Sequence, residues 1–381
     1  MKSKVHAVRL IVTLILTTAT LAGCTDKDKN KICADTQTGV DTPLADQVSD
    51  VAETENLNDK PLTIAMVGDI MMGTTFPEGG HNLTADDGAT LFKDAVEILR
   101  RADIAAGNLE GSLFDGKGVP KPCYNPERWF VFRMPERYVK HLTDAGFDFV
   151  GIANNHINDL GPEAKARTQE VLKAANLPYA GDREKQPTVI VEKDGRKIGF
   201  VAFGFDRGMP SIHNSTEIDS LVGNLKKQCD FVVVSFHGGA EGKNFQHVTH
   251  KKEPGNRGNV EEFAHRAVDA GADVVYGHSP HVPRAAELYK DRIIFYSLGN
   301  FCTPYRFNVE GVNGLAPLAH VTLNADGTFH SGKIHSFVQK RGVGPRLDHS
   351  NAAARKIKEL TKSDFPSTSL VISDEGEMSR K

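Results

Sequence analysis

Apolar residues in this 381-residue chain gather into short runs, each of which stops on glycine or on a polar side chain. Residues 62–67 run into Gly68 and Asp69. Residues 103–106 run into Gly107, Asn108, Leu109 and Glu110, and residues 147–153 into Asn154, Asn155 and His156, with Asp159 just beyond. Residues 231–236 end at His237, followed by Gly238, Gly239, Ala240 and Glu241. Residues 272–276 end at Gly277, His278, Ser279, Pro280 and His281. Runs of this length bounded by turn signals read as buried strands. Between them the apolar spacing becomes helical and predicts helices over 89–101, 136–145, 162–175 and 260–270, the first carried by Leu91, Ala95, Ile98 and Leu99. Strands alternating with helices imply a largely parallel core sheet, so the expected fold class is α/β.

Later the pattern changes. Residues 188–191 and 197–202 flank Asp194-Gly195, and residues 319–323 and 329–337 flank Asp326-Gly327, as hairpins do. Residues 293–298 form one more strand, ending at Gly299 and Asn300. These antiparallel additions predict a second sheet packed on the first with helices outside. From residue 346 the chain reads as a helix and then a Ser-, Asp- and Glu-rich segment, expected to fray.

The strand exits carry the candidate chemistry. In open α/β sheets, ligands bind beyond the carboxyl ends of the strands, so five polar strand ends should meet on one rim. Neutral imidazole is a good donor to a divalent cation. The mixture of Asp, Glu, Asn and His suits Mn, Fe, Zn or Mg better than a thiolate-seeking ion. Bland roles stand beside this reading: Asp69 as a turn cap, Asn155 and His156 as loop braces, Glu241 as partner of a nearby arginine.

Composition narrows the setting. Hydrophobic residues make up 39% and charged residues 25%, as in a soluble globular protein, and a net charge of −3 offers no basic footprint for nucleic acid. Lys2, Lys4 and Arg9 precede an apolar stretch over 10–22, the layout of a secretory signal. That stretch is short for a membrane-spanning helix. It closes on Leu21-Ala22-Gly23-Cys24, which resembles the bacterial lipobox, with Cys24 as the lipidated first mature residue. The expected layout is a signal over 1–23, a flexible tether over 24–60, a folded domain over 61–345 and a C-terminal helix with a frayed tail over 346–381. The expected location is extracytoplasmic and membrane-anchored through Cys24, on the outer membrane or periplasmic face if the cell is Gram-negative. Cys33, Cys123, Cys229 and Cys302 would then lie in a disulfide-permissive compartment, with no pairing readable from their spacing.

Taken in order, G-D-I-M-M-G at 68–73, G-N-L-E-G at 107–111, A-N-N-H-I-N-D at 153–159, S-F-H-G-G-A-E at 235–241, G-H-S-P-H-V at 277–282 and S-L-G-N-F at 297–301 resemble the CapA-type poly-gamma-glutamate capsule-synthesis family. That family is in turn similar to the calcineurin-like metallophosphoesterases. The resemblance implies a four-layer αββα double β-sandwich and a site for one or two divalent ions, Mn, Fe or Zn. It implies ligand roles for Asp69, Asn155, His237, His278 and His281, with Asn108 or Glu110 in the second acidic motif. His156 would protonate a leaving group, with Asp159 beside it as the second catalytic candidate. Glu241 and Asn300 are the substrate-binding candidates. Implied partners are poly-gamma-glutamate and its synthase complex. Residues 74–88 and 115–133 could wall a groove whose Lys117, Lys121, Arg128 and Arg133 attract a polyanion, or could be a solvated loop.

Departures from the phosphoesterase pattern leave the chemistry open. Ile70 and Met71 follow Asp69 where D-x-H is usual, Asn108 stands for an acidic residue, and Pro280 lengthens G-H-x-H by one. Two metals, one or none are compatible with that set. The implied function is synthesis, export or handling of the polymer through a metal-dependent hydrolase-like site. The alternatives are a non-catalytic polymer-binding subunit on the same scaffold, or a periplasmic phosphoesterase unrelated to capsule.

Overall fold

Every apolar run becomes a strand, and most strands overshoot into their polar ends. A computed structural model describes residues 60–78 and 82–381; the leader, Cys24, Cys33 and the tether up to residue 59 lie outside the described residues. Leu62–Ile70, Ile104–Leu109, Phe149–Gly151 and Tyr179–Ala180 lie side by side and parallel in a ten-stranded sheet. Leu315–Leu323 and Phe329–Lys340 extend that sheet antiparallel from Leu62–Ile70. A six-stranded sheet has Arg196–Gly204, Phe231–His237, Val274–His278 and Arg292–Phe295 parallel at its centre, with Thr188–Lys193 and Ala286–Tyr289 antiparallel at its edges.

The two sheets face each other across a common core. Phe231 and Val233 belong to the cluster shared with Leu62, Ile64 and Met66, whereas Val232, Val234 and Phe236 belong to the cluster under the helices. A strand buried on both faces shows this period of two. Phe149 of one sheet stacks on Phe200 of the other at 4.3 Å, and truncating such a ring costs about 3–5 kcal/mol. Helices Ser215–Lys226 and Val260–Asp269 cover the six-stranded sheet, each N-capped by an asparagine whose side chain accepts a backbone N–H. With Val96–Arg101 and Val139–Ala145 beside the larger sheet, the layering is αββα, as expected.

Four expectations need correction. The helix expected over 89–101 forms only from Val96, because Thr84 and Asp86 hold residues 84–90 in turns: Gly88 N donates to Thr84 Oγ1 at 2.7 Å and Thr90 N to Asp86 Oδ2 at 3.0 Å. The hairpin around Asp326-Gly327 extends the first sheet rather than the second. The tail does not fray: after helix Ala352–Asp364, strands Leu370–Ile372 and Glu377–Arg380 form a hairpin paired to Phe329–Lys340, burying Leu370, Ile372 and Met378. Gly344–Leu347 pairs with the same strand, so no domain boundary falls at 345/346.

No helix among the described residues is long and apolar enough to cross a membrane. Cys123, Cys229 and Cys302 are free thiols.

Candidate metal centre

The strand ends converge. Asp69 lies in register with Asn108 on one neighbouring strand and with Asn300 on the other, and His278 lies in register with His237. Close approach depends on glycine: a Cβ on Gly68 would lie 1.9 Å from Gly299 O. Asp69, Asn108, Glu110, Asn154, His156, Asp159, His237 and His278 are all buried.

Glu110 is the centre of the arrangement. Its Oε1 lies 3.9 Å from Nε2 of both His237 and His281, and 4.0 Å from His156 Nε2. Neither carboxylate oxygen has a hydrogen-bond partner, although both are buried. Buried polar atoms are nearly always paired, so an unpaired carboxylate needs a reason. A cation is a sufficient one, because donors up to about 4 Å apart are within reach of one ion bonded to each at about 2 Å. Asp69, Glu110 and His281 offer one set of donor atoms within 4.8 Å of one another, and Asp69, His237 and His278 another. The residues present fit a divalent ion.

Surrounding bonds orient the donors. Asp69 Oδ1 accepts from Asn108 Nδ2 at 2.8 Å, and Asp69 Oδ2 meets His281 Nδ1 at 3.0 Å. Asn154 Nδ2 donates to Asn108 Oδ1 at 3.1 Å, fixing that amide. Ser235 Oγ bonds His278 Nε2 at 2.9 Å, which leaves His278 Nδ1 facing His237 Nδ1 at 2.9 Å and Asp69 Oδ1 at 3.4 Å. His237 Nε2 contacts Asn155 Oδ1 at 2.8 Å. Ligand-orienting partners of this kind are usual around metals.

Charge follows burial. Burial pushes Glu110 well above the usual carboxylate range, and the charge of Asp69 adds to it. Burial also acts upward on Asp69, but bonds and charge from His281 and His278 hold it below its ordinary value. His278 is lowered to about 4 by burial, and His237 falls well below the ordinary imidazole value for the same reason, with His278 beside it. His281 goes the other way: burial opposes its charge, yet Glu110 and Asp69 push it up to about 9. Neutral His237 and His278 are in the form that binds metal.

His156 completes the site. Its Nδ1 lies 2.7 Å from Asp159 Oδ2, which also accepts from Phe132 N at 2.9 Å, and Lys121 Nζ reaches Asp159 Oδ1 at 2.5 Å. Phe132 packs on the imidazole with the ring centroids 4.1 Å apart and the planes tilted by 30°. Burial lowers the His156 pKa against the upward pull of Asp159. Nε2 is therefore the free, proton-accepting atom, and it points towards Glu110.

The candidate residues at the strand ends lie close together, though not all are placed as expected. Asn300 is fully buried with Oδ1 on His281 Nδ1 at 2.9 Å, so it sits behind the imidazole. Glu241 pairs with Arg257, the bland alternative, while staying 3.7 Å from His281 Nε2. Asp159 orients His156 and lies behind it. Arg133 is spent on Thr75 and Gly116, and Lys121 on Asp159, so neither is free for a polyanion. Lys117 is exposed, and the Arg128 side chain is not among the described ones. Sequence reading missed Ser235, Asn154 and Arg257. Ser235 lies two residues before His237 on the same strand face, a period-two signal that could have found it. Arg257 sits in an irregular loop with no pattern to betray it.

Residues 63–305 match the sequence model of the family described as "Bacterial capsule synthesis protein PGA_cap". The chain is 33% identical over 271 residues to the "Capsule biosynthesis protein CapA" of Bacillus anthracis, covering 66% of this chain and 62% of that protein. It is 26% identical over 332 residues to the "PGA biosynthesis protein CapA" of Bacillus subtilis, covering 82% and 81%. Among solved structures it is similar to one described as a novel phosphatase from Mycoplasma pneumoniae, at 14% identity and a TM-score of 0.47, covering 74% of this chain and 94% of that one.

Proposed function

The chain belongs to the bacterial capsule synthesis protein family PGA_cap, and on that footing we propose that it serves the synthesis, export or handling of a poly-gamma-glutamate surface polymer through metal-dependent hydrolysis. The proposed setting is outside the cytoplasm, on a lipid tether at Cys24. The observation that carries the hydrolytic part is Glu110, a fully buried carboxylate with no hydrogen-bond partner and three imidazole nitrogens about it.

Asp69, Glu110, Asn155, His237, His278 and His281 would hold the ion, with Asn108 fixed against Asp69. A divalent ion there supplies charge stabilisation and a water acidic enough to attack at neutral pH. The protein's own part is positional. Asp159 keeps the His156 proton at Nδ1, leaving Nε2 to take up a proton and pass it to a leaving group. Phe132 packs against that ring and holds it in place. With only Asp69 and Glu110 as buried carboxylates among these ligands, the charge balance favours one divalent ion over two.

The test is metal analysis and assay on the full chain expressed with manganese, iron or zinc. Phosphodiester and γ-glutamyl polymer substrates would be used, with His278→Ala as the comparison. Bound metal, with turnover lost in the variant, is the expected result. Protein that retains no metal, with a silent His278→Ala, would establish a non-catalytic accessory instead.

A further inference from the structure

Arg257 closes the short turn Pro254–Asn256 and touches both histidine loops. Its Nη1 donates to Ser279 Oγ at 2.6 Å, and its carbonyl accepts from Gly239 N at 2.8 Å. Ser279 and His281 have φ of 101° and 57°, left-handed values that non-glycine residues hold only when their surroundings impose them. Arg257 is part of that imposition. The guanidinium also lies 4.6 Å over the Phe205 ring, which stacks on His237 at 5.8 Å.

Holding Ser279 uses one nitrogen of a fork built for two. The other, Nη2, pairs with Glu241, whose side chain is 43% exposed, and the same Glu241 oxygen lies 3.7 Å from His281 Nε2. A carboxylate thus sits at the rim of the centre, between a guanidinium and an imidazole. Lys121, another cation fixed near the centre, is bound to the buried Asp159 and cannot be released cheaply. The Arg257–Glu241 pair is rim-exposed, and such pairs are weak in water. Arginine's planar fork matches carboxylate and phosphate alike.

We propose that Arg257 is a substrate-binding residue that takes an anionic group, carboxylate or phosphate, of the molecule entering the metal centre, and that Glu241 holds this position as an internal carboxylate until displaced. The proposal rests on reading this centre as the substrate site. It makes Glu241 a competitor of the substrate: the apparent affinity of a ligand that must displace an internal partner is cut to the fraction of time the position is free.

The test is calorimetric binding of two probes, inorganic phosphate and a γ-linked glutamate trimer, to the full chain loaded with manganese. Glu241→Gln should tighten binding of at least one probe by about threefold to tenfold, and Arg257→Lys should weaken it by about tenfold or more. In the double variant the gain from Glu241→Gln should vanish, since no guanidinium remains to be freed. A response from the trimer alone identifies carboxylate as the group taken, and one from phosphate alone identifies phosphate. Unchanged or weaker binding in Glu241→Gln overturns the proposal, as does a gain that survives in the double variant, or the failure of both probes to bind any variant. Thermal melts and metal content check that each variant folds and keeps its ion. Glu241→Gln, at an exposed position, keeps the test readable if Arg257→Lys does not fold. Absence of turnover alongside these binding differences would reject the hydrolytic reading and leave the anion site standing.

Discussion

Glu110 and Glu253 are both buried glutamates close to the site histidines, and they differ in what their oxygens touch. Glu253 accepts from Arg284 Nη1 at 2.7 Å, from Arg284 Nη2 at 2.8 Å and from Ala240 N at 2.6 Å. Arg284 is itself buried, and its Nη2 also donates to Ala240 O at 3.0 Å. This pair ties the Gly238–Glu241 turn to the loop after His281, and Gly239, at φ 89°, has no room for a Cβ beside Arg284 Nη1. Glu110 is just as dry and has no partner. Equal burial with opposite satisfaction separates scaffold from site: the saturated pair fixes where the ligands stand, and the unsaturated carboxylate is left to bind something from outside.

The largest expected effect is on the scaffold side. Arg284→Met strands the Glu253 charge, which should cost about 3–5 kcal/mol in chemical denaturation, with or without metal. A loss below about 1 kcal/mol would erase the distinction.

Glu110→Gln should behave in the opposite way. Saturating manganese at a hundredfold excess over its Kd stabilises the wild type by about 2.7 kcal/mol, and the variant should lose most of that gain. Metal-free, it should be the more stable of the two at neutral pH. The sign follows from the raised pKa of Glu110, caused first by burial and then by Asp69. The folded protein holds a proton that the unfolded chain releases near the ordinary 4.5, so this group's stabilisation is present at low pH and is lost as pH rises. The gap between metal-free variant and wild type should widen with rising pH in paired denaturation curves; a gap that narrows contradicts the assignment.

Glu241→Gln should have the smallest effect on stability, within about 1 kcal/mol, because its ion pair is exposed. A larger loss in a thermal melt would move Glu241 to the scaffold side.

How far the sequence foretold this contrast depends on which residues repeat a pattern. The strand exits at Asp69, Asn108, Asn155, His237 and His278 were legible because each ends an apolar run, and a parallel sheet brings such ends to one rim. Glu110, one residue beyond its strand, was a candidate, but its lack of partners appears only in three dimensions. Glu253, Arg257 and Arg284 gave no signal, because irregular loops lack periodicity and their partners lie 31 residues apart or on another loop. The terminal hairpin hid for a different reason: Leu370–Ile372 is an apolar run of only three residues and Met378 stands alone among polar neighbours, too little to read as strands. Residues 89–95 misled because their apolar spacing is helical while Thr84 and Asp86 compete for the backbone.

The most direct measurement is the metal content of the full chain after loading with manganese and desalting, by elemental analysis, for the wild type and Glu110→Gln. The wild type should retain about one equivalent and Glu110→Gln less than about a tenth of that, with both proteins folded. Wild-type protein that retains none, or a Glu110→Gln variant that retains as much as the wild type, would contradict the claim that this unpaired carboxylate marks a metal centre.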